Sequence, residues 1–114
     1  PVNELEKQKD KKMIWRKRVN KELEKDYKKI FNLLDKIIFL KVPSFKYVYK
    51  WRLLQEKKLQ ITSKGKKTMS ENEIKNFIMF YEILTKHMLK TLTYEADSVI
   101  KIDNEHRLKS IKFN

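Results

Sequence analysis

The segment Arg52-Leu53-Leu54-Gln55-Glu56 holds the side chains best suited to chemistry in this 114-residue chain. The apolar spacing from Phe45 to Trp51 predicts a helix, which would place Arg52 and Gln55 one turn apart on the same face. A guanidinium can donate two parallel hydrogen bonds to a phosphoryl group and can offset the charge that develops during its transfer. The alternative is a solvated helix face on which Arg52 pairs with Glu56 at i, i+4. Both interpretations are open at this point.

Residue counts exclude several other kinds of catalytic site. Gly65 is the only glycine, so neither G-x-G-x-x-G nor the P-loop pattern G-x-x-x-x-G-K occurs, and the run from Lys64 to Lys67 is not a Walker motif. The absence of cysteine excludes disulfides, thiolate zinc sites and a cysteine nucleophile. His87 and His106 lie 19 residues apart with no cysteine to join them, so we expect no metal site.

The formal net charge of +13 has two interpretations. It can be an electrostatic footprint for phosphate, in nucleic acid or a nucleotide. It can also reflect a lysine-rich composition with solvated faces, because acidic residues are interspersed among the lysines. No apolar run approaches the roughly 18 residues of a membrane span, and the N-terminus is no signal peptide. Together with the lack of cysteine, these features predict a cytoplasmic protein without a membrane partner.

The periodicity of apolar residues predicts a layered α/β arrangement within one partial domain. The run IIFLKV is β-branched and aromatic, which favours a strand covered on both faces, and Pro43 should end it. Ser44 is placed to cap the helix that follows, and Ser70 and Glu73 form a capping box for a later one. In a final hairpin, Ile111 and Phe113 should point inward from an edge strand. The predicted segments are a charged arm and helix (1–34), a core strand (35–42), a helix and basic loop (43–69), a long helix (70–94) and terminal strands (97–114).

Two features lead us to expect that further chain precedes these residues. The sequence opens at Pro1 without an initiator methionine. A strand as apolar as IIFLKV also requires neighbours that the remaining strands scarcely supply.

Several consecutive segments resemble the C-terminal part of the D-glycerate 3-kinase-like P-loop kinases, which are relatives of uridine kinase, pantothenate kinase and phosphoribulokinase. The segments occur in order along nearly all of the chain, and the W-R-x-x-Q-E core followed by M-[ST]-x-x-[EQ]-[IV] is the most specific. They are PVNELE, the Trp15-Arg16 pair, Val19-Asn20, DYKKIF, VPSFKYVYKWRLLQEKKL, MSENEIKNFIMFYEILTKHML and ADSVIKID. The resemblance implies the C-terminal portion of a P-loop kinase three-layer sandwich, in which helices flank a parallel sheet and a β-hairpin ends the chain.

The resemblance also implies an activity: ATP-dependent phosphoryl transfer to D-glycerate or a similar hydroxy acid. The helix from Ser44 and the basic loop after it would form a lid, with Arg52 as its phosphate-facing catalytic arginine. ATP and Mg²⁺ would be bound mainly by the missing upstream half. Because the P-loop lysine and the Mg²⁺-binding hydroxyl are absent, we expect this chain to be inactive alone.

The remaining site residues follow from position within the resemblance. Gln55, Lys66 and Lys67 would join Arg52 in binding the nucleotide. Glu56 and Tyr81 would line the acceptor site, although Tyr81 also fits a purely structural role. No residue is predicted as a metal ligand, and oligomeric state is not predicted.

Two other functions compete with the kinase. The chain could be a basic nucleic-acid-binding module that uses its lysines, with Trp15, Tyr47 and Tyr49 as stacking platforms. It could also be a helical interaction module whose basic face meets an acidic partner. A steep salt dependence of binding to single-stranded DNA would favour the nucleic-acid module.

Overall fold

The computed structural model describes residues 1–62 and 68–114. The chain divides into two compact units, Pro1–Ile37 and Ile38–Asn114. The assignment of the whole chain to one partial domain stays a prediction.

The first unit is helical. Its elements are α1 (Glu4–Lys9), α2 (Ile14–Glu22), one π-helical turn (Leu23–Tyr27) and α3 (Lys28–Phe31). Asn3 starts α1 as its N-cap, because its side-chain oxygen accepts a hydrogen bond from the Glu6 amide at 3.1 Å. The charged arm therefore begins with a short, capped helix.

The second unit is α/β, as the sequence predicts. Its elements are β1 (Ile38–Lys41), α4 (Phe45–Thr62), α5 (Glu71–Met79), α6 (Glu82–Glu95), β2 (Ser98–Ile102) and β3 (Leu108–Phe113). The three strands lie in the order β1-β2-β3. β1 and β2 are parallel, with Ile38 opposite Ser98, and β2 and β3 form an antiparallel hairpin. The parallel pair and the terminal hairpin are thus both confirmed.

The core of this unit lies on one face of the sheet. Phe39 and Val99 are buried there, and Ile74, Ile78 and Ala96 are the other buried apolar residues. The prediction that IIFLKV is covered on both faces is wrong, because Ile38 and Leu40 are 64% and 60% exposed. Alternate residues of a strand point to opposite faces, so Ile38 and Leu40 share the face opposite Phe39, and no described element buries that face.

The expectation that Ile111 and Phe113 point inward is also wrong. Both are exposed, and they sit opposite Ile100 and Ser98 in the hairpin. Val99, which faces the core, lies opposite Lys112. The β2–β3 register therefore places Ile111 and Phe113 on the face away from the core.

The long helix expected over residues 70–94 is interrupted. α5 ends at Met79 and α6 begins at Glu82, and the amides of Phe80 and Tyr81 each donate to a carbonyl three residues back. Aromatic side chains lose rotamer freedom in a helix, and the tighter 3₁₀ turn falls on this aromatic pair. Glu82, the first residue of α6, is buried and accepts a hydrogen bond from Lys86 Nζ at 2.7 Å.

The two predicted helix caps have different outcomes. Ser70 Oγ accepts a hydrogen bond from the Glu73 amide at 3.2 Å, which confirms the start of α5. Ser44 directly precedes α4, but its hydroxyl oxygen is buried with no hydrogen-bond partner among the described residues. The Ser44 cap is therefore wrong, and residues 42–44 serve as a short link from the carboxyl end of β1 to α4.

No helix within residues 1–62 and 68–114 is both long and apolar enough to cross a membrane.

Candidate phosphate-facing site on helix α4

The site predicted from sequence lies midway along α4. Arg52 Nη1 donates a hydrogen bond to Glu56 Oε2 at 2.7 Å, so the i, i+4 pair weighed in the sequence analysis is present. Arg52 Nη2 donates a longer one, of 3.7 Å, to Met69 Sδ. Arg52 therefore contacts both its own helix and the segment that leads into α5.

Glu56 anchors the site. It is 3% exposed, and its second oxygen, Oε1, accepts a hydrogen bond from the Met69 amide at 2.7 Å. The hydrogen bonds from the Met69 amide and then from Arg52 lower the pKa of the Glu56 carboxyl, and they outweigh the opposing effect of burial. Glu56 is therefore a charged anchor with both oxygens engaged, and its contact with substrate stays a prediction.

Arg52 keeps capacity for another partner. Its side chain is 27% exposed, whereas that of Glu56 is almost fully buried. A guanidinium has five N–H donors, and the two hydrogen bonds described here use one from each terminal nitrogen. The pairing with Glu56 also fixes the direction of the side chain. This arrangement can present a positioned positive charge to an oxyanion.

The other residues predicted to contact the nucleotide are Gln55, Lys66 and Lys67. Gln55 is exposed on α4 one turn from Arg52, in agreement with the predicted helix, but its contact with nucleotide stays a prediction. Lys66 and Lys67 lie outside the described residues.

Tyr81 lies in the break between α5 and α6. It is the N-cap residue of α6, and its ring packs edge-on against Phe77 with centroids 5.4 Å apart. That contact agrees with the structural role left open for Tyr81. Half of its surface is exposed, and its place in an acceptor site stays a prediction.

The aromatic side of α4 contacts the terminal hairpin. The rings of Trp51 and His106 stack with centroids 4.2 Å apart and an angle of 13° between their planes. The ring of Tyr47 packs against that of Trp51 with centroids 5.7 Å apart, so the Tyr47 ring contacts another side chain of the fold. His106 has a left-handed backbone, with φ of 64°. The sequence reasoning missed this contact. The only signal for it is the turn-prone run Asp103-Asn104-Glu105 directly before His106, which favours an unusual backbone there.

A second arginine cluster, in the first unit, was also missed. Arg16 Nε donates to Asp10 Oδ2 at 2.9 Å, and Arg16 Nη2 donates to the Asp10 carbonyl at 2.8 Å. Asp10 also accepts hydrogen bonds from the amides of Trp15 and Arg16. Burial alone would raise the pKa of the Asp10 carboxyl, but the hydrogen bonds from Arg16 and the two amides together lower it. Glu6, which is 1% exposed, lies 3.9 Å from Arg16 Nη1.

The described residues contain no group of three His, Cys, Asp or Glu side chains that could hold a metal ion. The acidic residues of both clusters are bound instead to arginine and to backbone amides.

Comparison with known proteins gives two kinases. The chain is 31% identical over 102 residues to a protein from Arabidopsis thaliana named "D-glycerate 3-kinase, chloroplastic", which covers 84% of this chain and 22% of that protein. It is 36% identical over 69 residues to the "Uncharacterized kinase mug58" of Schizosaccharomyces pombe, which covers 60% of this chain and 23% of that protein. The chain thus spans less than a quarter of the length of each relative. No family model matches it, and no solved structure gave a significant match.

Both relatives are kinases, and this distant homology supports a kinase-like function. The α/β fold, with its mixed three-stranded sheet, is consistent with the C-terminal region of a P-loop kinase.

Proposed function

We propose that this chain is the lid-bearing segment of an ATP-dependent kinase that phosphorylates D-glycerate, or a similar hydroxy acid, to a phosphoglycerate. The observation that carries the proposal is the 31% identity over 102 residues to a protein named as a D-glycerate 3-kinase. The position of α4 adds support, since the helix follows the carboxyl end of a parallel strand, the edge at which open α/β sheets bind ligands.

In this proposal Arg52 acts on the phosphoryl group in transit. Bound ATP would supply the phosphoryl group. The Arg52 guanidinium fits a phosphoryl group because it is positively charged, partly exposed and held in place by Glu56. Arg52 would offset the negative charge that develops on the phosphoryl oxygens during in-line transfer. Gln55 would contact the nucleotide from the same face of α4. Glu56 would be a positioning residue, because both of its oxygens are engaged.

The described residues include no group of three His, Cys, Asp or Glu side chains that could hold a metal ion, so none of them is assigned to Mg²⁺. The sequence also contains no P-loop. Both functions would come from another part of a longer protein, in keeping with the 22% of the Arabidopsis relative that the chain spans.

The test is ATP-dependent phosphorylation of D-glycerate by the full-length protein, followed through the formation of ADP and of phosphoglycerate. We expect turnover with D-glycerate and none from the 114-residue chain alone. Turnover with another hydroxy acid but not D-glycerate would show that the acceptor is wrong. Failure to transfer phosphate to any hydroxy acid would remove the proposed function.

A salt titration of binding to single-stranded DNA addresses the alternative raised by the charge. Tight binding with a steep salt slope, in a protein without kinase activity, would favour the nucleic-acid-binding module. The cytoplasmic location stays a prediction too, and the Arabidopsis relative carries the word chloroplastic in its name.

A further inference from the structure

A cavity of about 530 Å³ lies at the carboxyl ends of the parallel strands β1 and β2. Lys41 and Pro43 line it from the end of β1, Lys101 and Asp103 from the end of β2, and Lys109 from β3. The cavity belongs to the second unit, and among the described residues predicted from sequence as functional, Arg52, Gln55, Glu56 and Tyr81 do not line it.

Lys41 and Lys101 are direct neighbours across the parallel pair. They are partners in the strand register, so their side chains leave the same face of the sheet. Like charges placed directly opposite on neighbouring strands destabilise a sheet. Neither lysine has an ion pair or a hydrogen bond from its ammonium group within residues 1–62 and 68–114. An anion bound between the two ammonium groups would relieve their repulsion.

The acidic residues of the cavity are engaged in the hairpin. Asp103 Oδ1 accepts hydrogen bonds from the amides of Glu105 and Arg107, both at 2.9 Å. The carboxylate of Glu105 lies 3.4 Å from the guanidinium of Arg107. These contacts hold the turn together, and neither carboxylate forms an ion pair with Lys41 or Lys101. Three lysines line the cavity against these two carboxylates, so its lining has a net positive charge.

We infer that Lys41 and Lys101 form a binding site for a phosphoryl group at this edge of the sheet. A terminal phosphoryl group carries close to two negative charges at neutral pH, which matches two ammonium groups, whereas a carboxylate carries one. Lysine binds phosphate as a point charge, and this suits two flexible side chains on neighbouring strands. The inference deepens the proposed function and rests on it only for the source of the phosphoryl group, which is either the nucleotide or the phosphorylated product.

The repulsion between the lysines gives a signature that needs no ligand. Lys101→Gln removes one of the two charges and keeps much of the aliphatic stem. We expect this variant to melt about 1–2 °C above the unmodified chain in phosphate-free buffer at low salt. A residue that served only solubility would show no such gain.

The binding test uses the 114-residue chain, with its fold checked by circular dichroism, and titrates pyrophosphate, ATP, 3-phospho-D-glycerate and D-glycerate by calorimetry. We expect pyrophosphate to bind and to raise the melting temperature. The double variant Lys41→Gln/Lys101→Gln should bind it about tenfold more weakly. Whichever of ATP and 3-phospho-D-glycerate binds with the higher affinity is the source of the phosphoryl group.

The matched control is Lys75→Gln/Lys90→Gln, which removes the same net charge from exposed positions on α5 and α6. Its affinity for pyrophosphate should stay within about twofold of that of the unmodified chain, because it loses only long-range electrostatic attraction. Equal weakening by both double variants would mean that pyrophosphate responds to diffuse charge and would overturn the site. Binding of D-glycerate as tight as that of pyrophosphate, lost in the Lys41 and Lys101 double variant alone, would overturn the phosphoryl assignment.

The kinase proposal and this site can fail separately. Pyrophosphate binding that depends on Lys41 and Lys101, in a protein that transfers no phosphate, would retain the site and remove the proposed function. Kinase activity, together with pyrophosphate binding that is unchanged in the Lys41 and Lys101 double variant, would retain the proposed function and remove the site.

Discussion

The two arginine–carboxylate clusters are built alike and differ in exposure. In each, a carboxylate accepts hydrogen bonds from an arginine and from a backbone amide later in the chain: Asp10 from Arg16 and the Trp15 amide, Glu56 from Arg52 and the Met69 amide. Arg16 is 8% exposed and Arg52 is 27% exposed. The same interaction thus closes a structural cluster in one unit and leaves a partly accessible cation in the other.

This difference separates stability from chemistry. A buried arginine bound to carboxylates holds its neighbours in place, and removing it leaves buried charge without a partner. A partly exposed arginine contributes less to stability but can still meet a ligand. The following predictions test that division, starting with the largest effect.

Removing the Arg16 guanidinium should cause the largest loss of stability. Arg16→Leu leaves the buried carboxylates of Asp10 and Glu6 without their cation, so we expect the melting temperature to fall by roughly 10 °C or more. The matched control is Arg18→Leu, because Arg18 forms an exposed pair with Glu22 and should change the melting temperature by only about 1–2 °C. Similar losses in the two variants would contradict the structural role of Arg16.

Removing the Arg52 guanidinium should instead affect turnover, if the proposed function is right. In the full-length protein, Arg52→Ala should lower kcat by about 100-fold or more and change the KM for ATP much less. Steady-state kinetics with varied ATP measures both values. Arg52→Lys is the conservative control and should recover part of kcat, since it keeps the charge and loses the fork of donors. An unchanged kcat in Arg52→Ala would remove Arg52 from the mechanism.

The Glu56 anchor should make stability depend on pH in the acidic range. Its folded pKa lies below the ordinary value of 4.5, so its contribution is fully present above that value and is lost as pH falls through the folded pKa. Glu56→Gln should remove this contribution. The slope of the unfolding free energy against pH should then fall by an amount equal to the uptake of up to about one proton on unfolding. Urea denaturation between pH 6 and pH 3 measures the slope. Glu71→Gln, at an exposed position of α5, should leave most of the slope in place.

The cap next to the Glu56 anchor should have the smallest effect. Ser70 follows Met69, and Ser70→Ala removes the hydroxyl that accepts from the Glu73 amide, at a cost of about 1 kcal/mol in the free energy of unfolding. Thr91→Ala is the control, because the Thr91 hydroxyl donates to the His87 carbonyl within α6 and caps nothing. We expect that control to be nearly neutral. Equal effects in both variants would show that the capping bond adds nothing.

Local patterns in the sequence predicted the elements that local interactions decide. The β-branched run gave a strand that the structure places at Ile38–Lys41, and the Ser70 to Glu73 pattern correctly placed the start of α5. The hairpin that ends the chain was predicted for the same reason. Each of these depends on neighbouring residues, which a single sequence displays directly.

The features that were missed depend on contacts between residues far apart or on competition between similar states. The stack of Trp51 on His106 joins residues 55 positions apart, and no periodicity reveals it. In the Arg16 cluster the chain turns back between α1 and α2, so charged residues become buried in a segment that was predicted only as a charged arm and helix. The break at Phe80 and Tyr81 is a small change in hydrogen bonding that an uninterrupted apolar pattern does not show.

The same applies to the candidate site. The sequence placed Arg52, Gln55 and Glu56 on one helix, and the structure agrees. It could not decide between a ligand and Glu56 as the partner of Arg52, because the same helix brings both Gln55 and Glu56 next to Arg52. The contact of Glu56 with the Met69 amide depends on how the chain returns to α4, which residue types do not specify.

The order of the strands has a consequence for how the second unit folds. β2 and β3 are joined by a short turn, whereas Ile38 of β1 must find Ser98 of β2, 60 residues later in the chain. Closing the loop between β1 and β2 costs more chain entropy than closing the hairpin turn, and this cost precedes the contacts that stabilise the parallel pair. We therefore expect the hairpin to form early and the parallel pair to form late, after the helices between them have shortened the distance. Mutations in β1 should then mainly speed unfolding, and mutations in the hairpin should mainly slow folding.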